Sequence, residues 1–270
     1  MPDLKVAIAG AGGKMGQANI RAVLQTPGLM LFSAFDRNGS VVVGKDAGDL
    51  VGLGANGVLI GDSVEAALVG ADAIIDFTAP ANSVALAKLA AERGLVHVIG
   101  TTGCTAEDDE AIAKAAKAGG RIVKAGNFSL GVNLLLGLVE QAARALPGFD
   151  VEILEMHHNR KVDAPSGTAL MLGEAAARGR NITLSDHSVR SRDGHTGARD
   201  EGTIGFAALR GGNVIGEHRV ILAGPSERIE LSHIADNRAL FADGAMRAAL
   251  WAQHQKPGLY NMADVLGFNS

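Results

Sequence analysis

The chain has 270 residues, 47% of them hydrophobic and 20% charged, with a net charge of −4. That length suits one large or two modest domains with a real core, and the small negative charge gives no general pull toward nucleic acid or an anionic membrane. A single Cys excludes an internal disulfide framework, no apolar run approaches the length of a bilayer span, and the first residues lack a charged-then-apolar leader, so a soluble cytoplasmic protein is the expectation.

Leu4–Ala9 (L-K-V-A-I-A) reads as a short strand running into G-A-G-G-K-M-G at 10–16, followed by a helical stretch over 17–25 that stops before Pro27. Strand, glycine turn and helix form the context a dinucleotide-binding turn requires. The spacing is better written G-x-G-G-x-x-G than G-x-G-x-x-G, with Met15 where the third glycine is expected. It still supplies a turn tolerant of positive φ, a bare backbone and a helix N-terminus for a pyrophosphate. Leu29–Phe35 reads as a second strand ending at Asp36-Arg37, twenty residues past Gly16. An acidic residue there is placed to bind a ribose diol, and the adjacent Arg37 to meet a 2′-phosphate, so the pair reads as accepting both NADH and NADPH.

Residues 38–61 are Gly- and Val-rich with weak periodicity and read as loop with one short strand; 63–69 read as a short helix. Residues 73–77 (A-I-I-D-F) form an apolar strand interrupted only by Asp76, as in a parallel sheet covered on both faces. Helix is expected over 81–93, strand over 95–99, helix over 106–118 with acids first and Lys later, and strand over Arg121–Lys124. This βαβ alternation predicts an N-terminal Rossmann-like, doubly wound parallel sheet with its ligand at the C-terminal strand ends. Residues 10–16, Asp36, 78–80, 100–102 and 125–128 all fall at such ends and are expected to line one crevice. Cys104 follows with no catalytic spacing around it and reads as a packed small residue.

A helix over 129–146 leads to a strand over 151–156 (V-E-I-L-E-M) and then to H-H-N-R-K-V-D-A-P-S-G-T-A at 157–169. Ser166 is placed as the N-cap of the helix that continues to Arg178, with Gly167 and Thr168 presenting N–H groups at its positive end, where a carboxylate or phosphate binds readily. If the chain stays extended past 156, His157, Asn159 and Lys161 share one side. His157 is then the natural proton carrier and Lys161 a source of fixed charge or a proton. An adjacent His pair rarely chelates one ion and no ligand spacing supports it, so no metal is expected. Residues 185–202 read as a polar, basic loop; 203–209, 214–222 and Arg228–Ile234 alternate like consecutive antiparallel strands, marking a second, α+β domain. Helix returns over 243–254.

Laid end to end, these pieces resemble the 4-hydroxy-tetrahydrodipicolinate (dihydrodipicolinate) reductase family. The carriers are V-A-I-A-G-A-G-G-K-M-G at 6–16, D-F-T at 76–78, G-T-T-G at 100–103, N-F-S-L-G-V-N at 127–133, E-M-H-H-N-R-K-V-D-A-P-S-G-T-A at 155–169, R-G-G-N-V-I-G-E-H at 210–218 and the run at 239–251. The resemblance implies NAD(P)H-dependent reduction of 4-hydroxy-tetrahydrodipicolinate, a cyclic dicarboxylate, in lysine and diaminopimelate biosynthesis. It implies His157 and Lys161 as the proton-donating pair and His158, Gly167 and Thr168 as substrate contacts. Nucleotide contacts fall on Gly10, Ala11, Gly12, Gly13, Lys14, Met15, Asp36, Arg37, Gly100, Thr101, Thr102, Ala125, Gly126, Asn127 and Phe128. A nucleotide domain is expected from 1–128 and 239–270, and a substrate-binding, homotetramer-forming domain with a mixed, mainly antiparallel sheet from 129–238. The family often carries Glu where this chain has Asp36, and the shorter acid tilts the expected preference toward NADPH. The alternatives are an aspartate- or homoserine-type dehydrogenase of similar architecture, and a nucleotide sensor without catalysis.

Overall fold

The computed structural model describes residues 2–268; Met1, Asn269 and Ser270, at the ends of the expected first domain, lie outside the described residues. The chain forms two compact units, one from residues 1–130 with 239–270 and the other from 131–238.

In the first unit the order is β1 (Leu4–Ala9), α1 (Lys14–Gln25), β2 (Leu29–Phe35), α2 (Ala47–Leu50), β3 (Ile60–Gly61), α3 (Val64–Ala67), β4 (Ala73–Asp76), α4 (Pro80–Arg93), β5 (Val96–Ile99), α5 (Ala106–Lys117) and β6 (Arg121–Lys124). The second unit holds α6 (Leu130–Ala145, entered from the first unit), β7 (Asp150–His157), α7 (Gly167–Arg180), α8 (Leu184–His187), β8 (Ser188–Val189), β9 (Ile204–Arg210), β10 (Glu217–Ala223) and β11 (Arg228–Ile234). The chain then returns with α9 (Ala239–Ala252), β12 (Gly258–Tyr260) and α10 (Met262–Val265).

The first unit is a seven-stranded parallel sheet in the order β12-β6-β5-β4-β1-β2-β3. Side-chain alternation explains why its strands are apolar throughout. Val6, Ile8, Ala73, Ile75, Val96 and Val98 face a core closed by α1 and α9. Ala7, Ala9 and Ile74 point the opposite way, against Leu86 and Ala90 of α4, and Ile99 and Ile122 pack against Ile112, Ala115 and Ala116 of α5. Helix α1 begins at Lys14, three residues earlier than expected, so Gly16 lies inside it. The segment between β2 and β3, expected to be loop, contains α2, capped by Asp46 through the N–H groups of Gly48 and Asp49.

The second unit is a five-stranded mixed sheet in the order β11-β10-β7-β9-β8. Here the structure corrects the expected run of consecutive antiparallel strands. Only β10 and β11 form a hairpin; β7 lies between β9, which it pairs in parallel, and β10, which it pairs antiparallel. Local alternation identifies each strand but carries no information about which neighbours it takes. Val151 and Ile153 of β7, Ile204 and Phe206 of β9, and Val220 and Leu222 of β10 share one face, covered by Leu135, Val139 and Ala143 of α6 and Leu172, Ala175 and Ala176 of α7.

Candidate active site

A cleft of about 670 Å³ opens at the C-terminal ends of β1, β2 and β4, lined among others by Gly10, Gly12, Gly13, Asp36, Arg37, Thr78, Ala79 and Asn82. Its floor depends on missing side chains. A Cβ on Gly10, at φ +69, would stand 2.7 Å from Thr78 Cγ2, and one on Gly12 would stand 2.7 Å from Asp36 Oδ2. Asp36 already holds the turn: its Oδ2 accepts the Gly12 N–H at 2.7 Å and its Oδ1 the Arg37 N–H at 2.7 Å. Of the other expected nucleotide contacts, Ala11 is buried under the turn, Lys14 and Met15 open α1, and two groups stand at neighbouring strand ends. Gly100, Thr101 and Thr102 follow β5, and Ala125, Gly126, Asn127 and Phe128 follow β6. Thr101, Asn127 and Phe128 are buried, and the lining of the cleft comes from the ends of β1, β2 and β4 rather than from these two groups. Gly100 passes so close to Phe77 that a Cβ would overlap its ring, and Phe77 lies 5.5 Å from the Phe128 ring.

Beneath these loops lies a polar hub around Asp76, the one charged residue of an otherwise apolar strand. Asp76, fully buried, accepts the Thr78 N–H at 3.0 Å and the hydroxyls of Thr78 and Ser83 at 2.5 Å each. Thr101 Oγ1 joins the same group through the Thr78 N–H at 3.0 Å and Ser83 Oγ at 2.8 Å. His97 Nε2 lies 3.4 Å from Asp76. Burial opposes ionisation of Asp76, and its contacts with His97, Ser83 and Thr78 outweigh that, holding it below the ordinary carboxylate range. The hub ties the loops after β4 and β5 to α4.

The second unit gathers a different chemistry. β7 ends at His157, and its inward face continues past Val151 and Ile153 with Glu155 and His157. The extended segment expected through Lys161 stops there: the chain turns, with the Asn159 N–H on Gly212 O at 3.3 Å and the Lys161 N–H on His158 O at 3.1 Å. Strand alternation therefore does not relate His157 to Lys161. Glu155 is 1% exposed and His157 9%. Glu155 Oε2 lies 2.5 Å from His157 Nδ1, and Arg210 of β9 grips both carboxylate oxygens at 2.9 Å. The Ser166 N–H donates to Glu155 Oε1 at 3.1 Å. Burial works to raise the Glu155 pKa, but Arg210, His157 and the Ser166 N–H hold it below its ordinary value. His218 of β10 packs edge-on to His157 at 5.1 Å and reaches Ser166 Oγ through Nε2 at 3.2 Å. Burial first, and His157 second, push His218 down to about 4.

Ser166 is the N-cap of α7, its hydroxyl accepting the Ala169 N–H at 3.2 Å. Gly167 and Thr168 are the first two residues of that helix, at the positive end of its dipole. Lys161 Nζ pairs with Asp163 Oδ1 at 2.8 Å. His158 is partly buried and held below its ordinary value by that burial and by Arg160 and Arg238. Glu155, Arg210 and His218 are not among the site residues expected from the sequence. Glu155 carried a signal, since it lies two residues before His157 on a strand; Arg210 and His218 join only through the pairing of β7 with β9 and β10.

Residues 4–128 match the family model described as dihydrodipicolinate reductase, N-terminus, and residues 131–266 the one described as dihydrodipicolinate reductase, C-terminus. The chain belongs to the dihydrodipicolinate reductase family. It is 59% identical over 269 residues to the 4-hydroxy-tetrahydrodipicolinate reductase of Sinorhizobium medicae, covering 99% of this chain and 98% of that one. It is likewise 59% identical over 267 residues to the reductase of the same name from Brucella abortus, covering 98% and 99%. Among solved structures, a dipicolinate-bound dihydrodipicolinate reductase from a Paenisporosarcina species superimposes with a TM-score of 0.79 at 26% identity, covering 97% of this chain and 98% of that one. The family membership agrees with the architecture, a parallel Rossmann-like sheet beside a smaller mixed sheet.

Proposed function

We propose that this chain reduces 4-hydroxy-2,3,4,5-tetrahydrodipicolinate to tetrahydrodipicolinate with NADPH or NADH, in lysine and diaminopimelate biosynthesis in the cytoplasm. The observation that carries the reading is the His157 cluster: a histidine anchored at one ring nitrogen, on a strand whose continuation caps a helix with Ser166, in a chain about 59% identical to reductases of that name. The glycine turn fits a nicotinamide dinucleotide, because Thr78 and Asp36 pack directly against Gly10 and Gly12 and the bare backbone of the turn lines the cleft. Gly10, Gly12 and Gly13 with the start of α1 are suited to the pyrophosphate, Asp36 to the ribose diol and Arg37 to a 2′-phosphate.

Such a cofactor supplies the hydride when bound. Overall, one hydride and one proton enter the substrate and its 4-hydroxyl departs as water. His157 donates the proton to the site where negative charge develops, and Lys161 holds fixed positive charge near it or donates in turn. Gly167 and Thr168, with the α7 dipole behind them, receive one substrate carboxylate, and His158 adds a polar contact. The ring distinguishes this substrate from open-chain aspartate and homoserine. Nicotinamide oxidation with enzymatically generated hydroxy-tetrahydrodipicolinate, set beside aspartate and homoserine with the oxidised cofactor, tests the reading. Turnover of the cyclic dicarboxylate alone supports it; turnover of an amino acid instead, or of none of them, contradicts it.

A further inference from the structure

We propose that Glu155, clamped by Arg210, is the positioning residue that fixes His157 as a proton donor through Nε2. The inference rests on the reductase reading for its activity arm, while its structural arm stands alone. On β7 the two side chains share one face, two residues apart, and Glu155 Oε2 lies 2.5 Å from Nδ1. A carboxylate accepts and cannot donate, so the ring nitrogen that faces it carries hydrogen. In the neutral ring that makes Nδ1 the protonated nitrogen and Nε2 the basic one; in the cation Nε2–H is the bond that can be given up. Space is left at that second nitrogen. Gly216 faces it, and a Cβ there would stand 3.0 Å from Nε2.

The clamp is over-determined in a way that a merely structural ion pair would not require. Glu155 receives Arg210 on both oxygens, the Ser166 N–H on Oε1 and His157 on Oε2. Arg210 reaches back to Asp163 O at 2.6 Å, so the group that holds Glu155 also holds the loop carrying Lys161. Arg210 keeps the buried carboxylate ionised against the pull of burial. Around His157 stand Glu155 from its own strand, with Arg210 of β9 behind it, His218 from β10 and His158 next along the chain.

The test uses Glu155→Gln, which keeps shape and removes charge, together with the wild type. ¹⁵N-histidine spectra of the cofactor-free protein, with the His157 signal assigned by its loss in His157→Gln, report the tautomer at a pH where the ring is neutral. The wild type is expected to hold its proton on Nδ1, and Glu155→Gln to mix the two tautomers. In turnover, Glu155→Gln is expected to lose at least about tenfold in kcat out of the 10²–10⁴ that general acid catalysis supplies, with the Kd for NADPH unchanged. A wild-type His157 protonated on Nε2 overturns the proposal, and that result does not depend on whether Glu155→Gln folds. A Glu155→Gln enzyme with wild-type kcat and tautomer overturns it equally. A wild type that turns over no dicarboxylate sinks the proposed function instead, and the tautomer still judges the Glu155 assignment.

Discussion

Arg37 stands exposed at the rim of the glycine-lined cleft, next to an Asp36 whose two oxygens already hold the Gly12 and Arg37 N–H groups. Replacing Arg37 by Ala removes the cation but leaves that backbone arrangement. NADPH affinity is expected to drop roughly 10- to 100-fold, about 1.5–3 kcal/mol for a charge-assisted contact, with NADH little changed. Titration of the variant with both cofactors checks this, and equal losses would mean that Arg37 does not touch the 2′-phosphate. His218 gives a pH prediction. Its folded pKa is about 4 against an ordinary 6.5, so the unfolded chain binds the proton first as pH falls. Stability is intact above 6.5 and declines between 6.5 and 4, the loss reaching about 3 kcal/mol. Urea midpoints of the wild type and His218→Asn from pH 7 to 4 should converge at low pH, and parallel curves would contradict the assignment. At this scale the sequence made His157, Lys161 and Ser166 visible because chemistry-bearing residues cluster within ten positions. Glu155 carries its signal only in the strand alternation that puts it on the same face as His157, and Arg210 lies fifty-five positions from Glu155, where no local pattern connects the two.

Among the elements, α1 shows how closely the nucleotide turn is built. A Cβ on Gly16 would stand 2.0 Å from Gly10 O and 2.9 Å from Ala11 Cα, backbone atoms that cannot swing aside. Gly16→Ala is therefore expected to lower stability by about 1–3 kcal/mol as an overpacked site and to weaken NADPH binding at least about tenfold by displacing the turn. Fluorescence titration and thermal unfolding measure both, and wild-type values in each would show that the turn is not held by this contact. The strands β1, β2, β6 and β11 were legible to the residue, because β-branched and apolar runs end at Gly, Pro or charged pairs. The extension of α1 back to Lys14 was not: a glycine inside a first turn reads as loop, although here its lack of a side chain is what lets the helix start against Gly10. The order of the second sheet was also out of reach. β7 takes β9 and β10 as neighbours through ladders between segments about fifty and seventy residues apart, and alternation within each strand is compatible with several orders.

At the scale of the whole molecule, α6 and α7 cover one face of the second sheet. Leu209 and Ile234, on strands of that sheet, remain exposed, and Glu152 on the opposite face from Glu155 is gripped by Arg192 and Arg199. We propose that this uncovered face is closed by other copies of the chain in a tetramer, as exposed apolar sheet surface favours. Light scattering at micromolar concentration should then give a mass near four times 27.7 kDa, and a mass near 27.7 kDa would rule the assembly out. We propose that the first unit binds the nucleotide and the second donates the proton. The most direct measurement is NADPH oxidation on hydroxy-tetrahydrodipicolinate by the wild type, His157→Gln and Lys161→Ala, with NADPH affinity determined for each. The wild type is expected to turn over, His157→Gln to be slower in kcat by about 10²-fold or more, Lys161→Ala to be impaired in both kcat and KM, and all three to share one NADPH Kd. A His157→Gln enzyme with near-normal kcat, or one whose NADPH affinity falls along with its turnover, would contradict that division of roles.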